Sequence, residues 1–363
     1  MKIGILGSRG IPNNYGGFEQ FAGRLSVGLV ELGHDVWVYN SSTHPYIEKQ
    51  WKGVNLVHCY DPEDLIGTAG QFIYDLNCIR DAGKRDFDIL FQLGYTSNSI
   101  WHWLLSGKSK VVTNMDGLEW QRSKYSRSVR KFLKHAEKLA VQSSDLLIAD
   151  SEVMQDYLQQ TYRVSATFIP YGADVFTIPD AEKLIPFGVK PHQYFLLIAR
   201  MQPDNHIEEV IKGVLESGSK SPLLIVGNCK NRYGKYLGNL YASEQIRFLG
   251  PIFHKETLDQ LRYFTKLYFH GHSSGGTNPS LLEAMAASAP ICAHDNLFSF
   301  EVLGEDAFYF TDSRKISEVI RANSDEKVTD MFIQANLGKI RTKYNWGEII
   351  PAYDQVFRDL NAG

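Results

Sequence analysis

Short apolar runs alternate with amphipathic segments along the first half of the chain. Residues 2–6 form an apolar run typical of a buried strand, and residues 18–32 carry apolar side chains at helical spacing up to Gly33. Residues 34–39 follow as a second strand. The same pattern predicts further strands at residues 54–59, 89–93, 111–113, 146–148 and 167–170. Strands that alternate with helices indicate a parallel sheet covered by helices on both faces.

The alternation restarts after a linker-like segment at residues 185–191. It predicts strands at residues 194–199, 222–226, 246–249, 267–270 and 290–293, with helices at 207–215 and 255–264. We therefore predict two doubly wound α/β domains, residues 1–188 and 189–345, followed by a C-terminal helix at 346–363 that packs back on the N-terminal domain. Because ligands of such sheets bind at the carboxyl ends of strands, we expect the site in a cleft between the domains.

Composition narrows the class of protein. The 363 residues are 44% hydrophobic and 22% charged, with a net charge of -3, which is typical of a globular protein and disfavours a strongly basic nucleic-acid binder. The four cysteines form no CxxC pair, so we expect a reducing compartment and no structural zinc. The apolar start is short for a signal peptide, and we expect a cytoplasmic protein, at most peripheral on the inner face of the membrane.

A glycine-opened turn at residues 275–279 is the most informative local pattern. Gly275 and Gly276 follow a predicted strand and precede Thr277, Asn278 and a proline that starts a helix. The N–H groups at such a helix start, together with the helix dipole, favour an anionic ligand, and glycine lets that ligand approach the backbone. Glu283, about a turn and a half into the helix, could accept hydrogen bonds from sugar hydroxyls. An ordinary strand-to-helix turn with a solvated glutamate is the alternative.

Two arginines accompany this turn. Arg200 follows the first strand of the second domain, where a guanidinium is well shaped to bind a diphosphate; a salt bridge at the rim is the alternative. Arg9 lies in a second glycine-rich loop, with Gly10 and Gly17, that could close over a phosphate or sugar. A free surface position is the alternative for Arg9. The second strand ends at residues 40–41 without a carboxylate, which disfavours a dinucleotide site.

Asp116 and His272 are the remaining candidates. Asp116 follows the strand at 111–113 and could act as a general base or bind the donor sugar, although an aspartate before glycine is also a common turn residue. His272 precedes the glycine turn and either contacts the sugar or packs within its loop. The Asp-x-Asp sequence at residues 86–88 precedes its strand instead of following it, so we predict no metal site.

A basic segment spans residues 122–138. It carries seven cations against a single glutamate, with an apolar stripe at helical spacing. Such a helix usually packs its stripe on a sheet and solvates its charges. The same charges could also contact anionic lipid, and the two interpretations are compatible.

The residues quoted resemble those of a known family. The loop at residues 7–19, paired with the run at 276–283, resembles the bacterial capsule-type rhamnosyltransferases, within the retaining family-4 glycosyltransferases of GT-B fold. The resemblance extends over essentially the whole chain. Arg200 and the segments at 248–250 and 170–174 stand where the broader family has its recurring landmarks.

The resemblance implies transfer of a sugar, L-rhamnose among the candidates, from a nucleoside diphosphate donor. The implied acceptor is a saccharide or a polyprenyl-linked saccharide in surface polysaccharide synthesis. The resemblance further implies that the reaction retains configuration and uses no metal or other cofactor. Arg200 and the N–H groups of Gly276 and Thr277 would stabilise the departing diphosphate, Asp116 would position the donor sugar or acceptor, and Glu283 matches the glutamate that binds the ribose. The family's first glutamate falls at Gly275, and its usual lysine falls at Asn205, which we place in the donor site with Asn278.

Two other classes of function remain open. One is an NAD-dependent nucleotide-sugar epimerase or dehydrogenase, disfavoured by the missing acidic residue after the second strand and by the lack of a Tyr-x-x-x-Lys pair. The other is a non-catalytic protein that binds a sugar or nucleotide.

Overall fold

The computed structural model describes residues 1–105, 107–122, 124–273, 275–322 and 326–363. These residues form two compact units. The first comprises Met1–Gln121, Tyr125–Tyr171 and Gly347–Gly363, and the second comprises Arg122–Lys124 and Gly172–Trp346.

The first unit is built on a mainly parallel sheet. Its strands are β1 (Lys2–Leu6), β2 (Asp35–Ser41), β3 (Gln50–Trp51), β4 (Val54–Cys59), β5 (Ile89–Leu93), β6 (Lys110–Asn114), β7 (Leu146–Ala149) and β8 (Thr167–Phe168). The spatial order is β3-β4-β2-β1-β5-β6-β7-β8, in which β3 runs antiparallel to β4 and the other pairs are parallel. Ile3 pairs with Val36 on one side and Ile89 on the other, and all three are fully buried. The sheet is therefore covered on both faces, as its apolar runs predict.

The second unit contains a parallel sheet of its own. Its strands are β9 (Phe195–Ile198), β10 (Leu223–Val226), β11 (Ile246–Gly250), β12 (Leu267–His270), β13 (Ile291–His294) and β14 (Phe308–Phe310). They lie in the order β11-β10-β9-β12-β13-β14, all parallel. The chain reverses its direction of winding between β9 and β12, which is the topological switch point of a doubly wound sheet.

Helices connect the strands and cover the sheets. The first unit has α1 (Gly17–Glu31), α2 (Glu63–Ile66), α3 (Ala69–Ala82), α4 (Arg127–Ser143), α5 (Glu152–Tyr162) and 3₁₀ turns at Ser99–Leu104 and Glu119–Gln121. The second has α6 (Ile207–Ser217), α7 (Arg232–Tyr241), α8 (Lys255–Tyr263), α9 (Pro279–Ala286), α10 (Leu297–Leu303), α11 (Ser313–Arg321), α12 (Glu326–Thr342) and 3₁₀ turns at Ala181–Phe187 and Pro203–Asn205. Among the described residues, none of these helices combines the length and apolar character that a membrane crossing requires.

The last helix, α13 (Trp346–Ala362), belongs almost wholly to the first unit. Tyr353 packs against Phe21 of α1 and Phe91 of β5, with ring centroids 5.6 and 5.5 Å apart. His34 Nε2 lies 2.6 Å from Asp354 Oδ1. The chain thus returns to its N-terminal half, as predicted for its last helix.

The chain passes from the first unit to the second after Tyr171, earlier than the boundary near residue 188 that the linker composition predicts. The intervening residues pack on the second unit. Gln260 of α8 accepts a hydrogen bond from Asp180 N at 2.8 Å and donates one to Ile178 O at 2.9 Å, and Phe176 N donates to Ala286 O at 2.9 Å. These bonds join residues far apart in the sequence, so composition does not reveal them.

Candidate functional site

Two loops at the switch point of the second sheet are tied to each other. The loop after β9 contains Asp204 and His206, and the loop after β12 contains Gly271 and Ser273. His206 Nδ1 lies 2.8 Å from Gly271 O, and Ser273 Oγ donates to Asp204 O at 2.9 Å. Residues that follow different strands are therefore held together at one edge of the sheet.

The glycine turn of the second loop opens directly onto α9. Gly275 has a φ of +123°, and a Cβ at this position would meet no atom within 4 Å. Asn278 is the N-cap, and its side-chain oxygen accepts a hydrogen bond from Ser280 N at 2.9 Å. Pro279 begins the helix, where a missing N–H costs nothing. Gly276 and Thr277 are buried beside this helix start. The turn therefore opens a capped helix start, as the residue types predict, and anion binding at this start stays a prediction.

Glu283 is buried and held by an arginine. The guanidinium of Arg262, in α8, donates to Glu283 Oε2, and its Nη1 lies 3.1 Å from Asp259 Oδ1. Only 1% of the Arg262 side chain is exposed. Because Arg262 bridges two acidic side chains and is itself buried, the arrangement fixes Glu283 in place.

Arg200 is exposed and lies beside His272. Its backbone carbonyl accepts a hydrogen bond from Asn205 Nδ2 at 2.7 Å, which fixes the loop after β9. Burial, the neighbouring His270 and the charges of Arg200 and Arg122 hold the pKa of His272 well below its usual range. An uncharged imidazole therefore stands next to an exposed guanidinium at the switch point.

A small solvent-open cavity lies beneath the turn. His270 and His272 stack with ring centroids 4.5 Å apart and line it together with Gly275, Gly276 and Phe298. Burial lowers the pKa of His270 to about 3, so both rings are neutral at neutral pH. Within the described part of the chain, the Nδ1 atoms of both rings are buried and have no hydrogen-bond partner. These two atoms are available to a ligand group or a water.

The other predicted site residues lie in the first unit. Arg9 forms a bidentate ion pair with Glu63, with Nε–Oε2 at 2.9 Å and Nη2–Oε1 at 2.7 Å, and its guanidinium lies 4.2 Å from the ring centre of Tyr15. Gly10 has a φ of +118° and packs on Asn40. Gly17 is the exposed first residue of α1. The guanidinium of Arg9 is thus already engaged within its own unit.

Asp116 follows β6, as predicted, and is half-buried. Tyr171 Oη donates to Asp116 Oδ1 at 3.4 Å and accepts from Asn114 Nδ2 at 2.9 Å. The carboxylate is therefore placed by side chains of its own unit, at the carboxyl edge of the first sheet.

The basic segment is only partly solvated. Lys134 points toward the buried Glu137, with Nζ–Oε1 at 2.8 Å, and Arg122 Nη1 lies 4.0 Å from Asp204 Oδ2 with 10% of its side chain exposed. The prediction that the segment solvates its charges does not hold for Lys134 and Arg122, because each lies near a buried carboxylate. Arg127 and Lys131 are exposed, as is Lys138.

The Asp-x-Asp sequence at residues 86–88 has a structural role at the start of β5, as its position before that strand predicts. Asp88 Oδ2 accepts a hydrogen bond from Lys2 N at 2.7 Å, and Asp86 pairs with Lys108 at the surface. Over the described ranges, no group of three or more His, Cys, Asp or Glu side chains is placed to hold a metal ion. Metal independence stays a prediction.

Sequence reasoning missed Arg262, although the residue is central to the site. A signal was present, because Arg262 follows Leu261 and is spaced four residues from Leu258, so it lies on the apolar stripe of α8. An arginine on a buried stripe requires a buried acid, since a charge is rarely buried unpaired. The identity of that acid, Glu283, depends on tertiary structure.

Comparisons with known proteins agree with this architecture. A family model described as a domain of unknown function (DUF1972) matches residues 1–174. A search of curated proteins finds no match. Among solved structures, a sucrose-phosphate synthase from Thermosynechococcus elongatus is similar, with a TM-score of 0.82, 15% identity and 99% of each chain covered.

Two further structures have the same arrangement of elements. HepE from Anabaena in complex with UDP-glucose gives a TM-score of 0.76 at 15% identity, with 99% of both chains covered. The α,α-trehalose 6-phosphate synthase from Burkholderia multivorans gives 0.70 at 11% identity, covering 99% of this chain and 97% of that one. The predicted fold class, the GT-B fold with two doubly wound α/β domains, is confirmed by these matches.

Proposed function

We propose that this chain is a glycosyltransferase that takes its sugar from a nucleoside diphosphate donor. The observation that carries the proposal is the glycine turn at 275–278, which opens α9 at the switch point of the second sheet. Arg200 is exposed at the same edge, and the buried Glu283 follows in α9. A diphosphate with a sugar or ribose beside it suits a helix start, a guanidinium and a carboxylate in this order.

The roles follow from chemistry. The N–H groups of Gly276 and Thr277 and the guanidinium of Arg200 stabilise charge on the leaving diphosphate, and Glu283 accepts hydrogen bonds from the ribose. The bond from the anomeric carbon to phosphate oxygen breaks while the acceptor oxygen bonds to that carbon on the same face, which retains configuration. The acceptor's proton passes to the leaving phosphate oxygen. Asp116 positions the donor sugar or acceptor, and no metal takes part.

The donor sugar is proposed to be a deoxyhexose such as L-rhamnose. The family-4 glycosyltransferases that the sequence resembles have a glutamate at the position of Gly275. Glycine has no side chain that could bind a sugar hydroxyl from this position, and a Cβ here would meet no atom within 4 Å. The acceptor is proposed to be a saccharide or a polyprenyl-linked saccharide in surface polysaccharide synthesis. Assignment of Arg9, Gly10, Gly17, Asn205, His272 and Asn278 to donor binding stays a prediction.

Thermal melting with nucleotides tests the proposal. Purified protein is melted with UDP, dTDP, GDP, ADP or NAD⁺ at saturation; UDP leads the series because HepE was solved with UDP-glucose. A ligand at about 100 times its Kd stabilises by about 2.7 kcal/mol, which raises Tm by about 5–11 °C for a domain of this size. We expect a shift with one nucleoside diphosphate, lost in Glu283→Ala, followed by turnover of the matching sugar nucleotide.

The same experiment separates the other functions. A shift with NAD⁺ alone would contradict the proposal and favour the epimerase or dehydrogenase. That alternative is already disfavoured, because Asn40 at the end of β2 bonds Ile11 N and O at 3.0 and 2.8 Å, in the place where a ribose-binding acid would stand. A nucleoside diphosphate that binds without any sugar transfer would favour the non-catalytic binding protein.

A further inference from the structure

A short segment of the chain adds a second arginine to the switch point of the second sheet. Arg122–Lys124 belongs to the second unit, although the residues on either side of it in sequence belong to the first. Lys124 Nζ donates to Gln202 Oε1 at 3.0 Å, and Arg122 Nη1 lies 4.0 Å from Asp204 Oδ2. Both partners lie in the loop after β9. The segment is therefore held against this loop.

Asp204 connects Arg122 to the loop that carries the glycine turn. The backbone carbonyl of Asp204 accepts hydrogen bonds from Ser273 Oγ at 2.9 Å and from Ser273 N at 3.2 Å. The side chains of Arg122 and Asp204 are only 10% and 3% exposed. Because solvent screens such charges little, the carboxylate orients the guanidinium within the second unit.

Arg122 and Arg200 act on the same neighbour, His272. Burial lowers the pKa of His272 most, followed by His270 and then by the charges of Arg200 and Arg122. Because the effect of a charge falls off with distance, both guanidinium groups lie near this imidazole. Two cations and the one carboxylate of Asp204 leave these three side chains with a net charge of +1. The N-terminus of α9 adds its own partial positive charge.

The loops of the switch point supply only one of these cations themselves. Among residues 200–205 and 271–278, Arg200 is the single lysine or arginine. The diphosphate of a sugar nucleotide carries a negative charge on each phosphate, and a guanidinium binds phosphate through two parallel hydrogen bonds. A second arginine, brought from a distant part of the sequence, therefore matches the number of cations to the number of phosphates.

We propose that Arg122 is a second diphosphate-binding residue of the donor site and shares the two phosphates with Arg200. The proposal rests on the proposed function, because it assumes a nucleoside diphosphate donor. The alternative is a structural role, in which Arg122 only ties its segment to Asp204. The two roles differ in what loss of the guanidinium does to the binding of a ligand without phosphate.

Titration calorimetry with UDP and with uridine separates the two roles. If thermal melting favours another base, its diphosphate and its nucleoside take their place. In Arg122→Gln we expect the Kd for UDP to rise about 10–100-fold, the range for hydrogen bonds to a charged group, and the Kd for uridine to change by less than about twofold. Arg122→Lys keeps the charge without the bidentate geometry, so the Kd for UDP should rise about 2–10-fold.

Lys124→Gln is the matched control. It removes one cation from the same segment, but Lys124 is exposed and bonds the side chain of Gln202. The Kd for UDP should therefore stay within about twofold of the value for the unmodified chain. Thermal melting without ligand shows whether each variant is folded. If Arg122→Gln does not fold, the comparison with Lys124→Gln is made with Arg122→Lys.

Three results would overturn the proposal. They are an unchanged Kd for UDP in Arg122→Gln, an equal rise for UDP and uridine, and an equal rise in Lys124→Gln. The second of these would assign the structural role to Arg122. If the unmodified chain binds none of UDP, dTDP, GDP and ADP, the proposed function fails and the role of Arg122 fails with it. The two failures are thus distinguishable by the unmodified chain alone.

Discussion

The two glycine-rich loops of this chain have similar backbone angles and opposite surroundings. Gly10 has a φ of +118°, and a Cβ there would lie 2.3 Å from the Asn40 side chain. Gly275 has a φ of +123°, and a Cβ there would meet nothing within 4 Å. The first glycine allows close packing of the loop on its own unit. The second leaves open space in front of a helix start, which is what a ligand requires.

The charged groups near the two loops differ in the same way. Arg9 in the first unit is satisfied by Glu63 and Tyr15, whereas Arg200 in the second is exposed. Burial raises the pKa of Asp75, close to the first loop, to about 7, while burial lowers the pKa of His270, under the second, to about 3. A glycine-rich loop after a strand is therefore not by itself a ligand site. Whether it can bind a ligand depends on whether the charged and polar groups beside it are already paired within the protein.

The largest effect should come from the buried arginine of the second unit. Arg262→Met removes the cation that pairs with the buried Glu283, and we expect a loss of about 3–5 kcal/mol in the free energy of unfolding, measured by urea. The double variant Arg262→Met, Glu283→Gln should lose less than the sum of the single variants, because it removes both charges of the pair.

A surface pair of the first unit supplies the matched control. Arg85 pairs with Asp81 at about one third exposure, and Arg85→Ala should cost less than about 1 kcal/mol. If Arg262→Met and Arg85→Ala lower the free energy of unfolding equally, burial of the Arg262–Glu283 pair does not determine how much the pair contributes to stability.

Loss of the exposed arginine should reduce turnover next most strongly. Arg200→Ala removes a charge from the proposed site of the leaving diphosphate, and we expect kcat to fall about 10²–10³-fold, the loss typical of one oxyanion-stabilising group. Arg200→Lys should recover only part of the rate, since lysine cannot make the bidentate contact. Arg314→Ala, an exposed arginine of α11, is the control and should turn over normally. Turnover of Arg200→Ala within a factor of two would remove Arg200 from the site.

The two units should respond to pH in opposite directions. Asp75 has its pKa raised by burial to about 7, so its stabilising contribution is present below about pH 4 and is lost as pH rises through 7. His270 has its pKa lowered to about 3, so its contribution is present above about pH 6.5 and is lost as pH falls. Hydrogen exchange, corrected for intrinsic rates, should show the first unit weakening with rising pH and the second with falling pH.

Asp75→Asn isolates the first of these effects. Asparagine keeps an acceptor for Ser97 Oγ, which donates to Asp75 at 2.5 Å, but carries no charge at pH 8. We expect the variant to be more stable than the unmodified chain at pH 8 by roughly 2–4 kcal/mol and nearly equal to it at about pH 4. Asp86→Asn, at an exposed position, should change neither value. A difference independent of pH would contradict the burial of an ionisable carboxyl at residue 75.

The smallest effect should be at Arg9. Because its guanidinium already binds Glu63 at a half-buried position, Arg9→Ala should lower the free energy of unfolding by about 1 kcal/mol and change the donor KM by less than tenfold. A rise in the donor KM of more than tenfold, without loss of stability, would place Arg9 in the donor site as the sequence predicts. The contrast between a paired Arg9 and an available Arg200 would then be wrong.

The sequence by itself determined the sheets and the local geometry of the turn. The bounds of β1, β5 and β12 coincide with the predicted runs, because strands buried on both faces of a parallel sheet are mostly apolar segments. Asn278, Pro279 and the glycines before them specify a capped helix start through neighbours in sequence alone. The edge strands β3 and β14 were not predicted, since elements of two or three residues depend on the strand beside them.

Only the tertiary structure decided which charges are available. The pairs Arg262–Glu283, Arg9–Glu63 and Lys134–Tyr157 join residues from different elements, and the inward position of Lys134 corrects the cationic face that helical spacing predicts. The stacked, neutral His270 and His272 likewise owe their lowered pKa values to burial. The periodicity of apolar residues specifies which face of a helix or strand is buried. Whether a charged group is buried and paired depends on which side chains from distant parts of the sequence contact it.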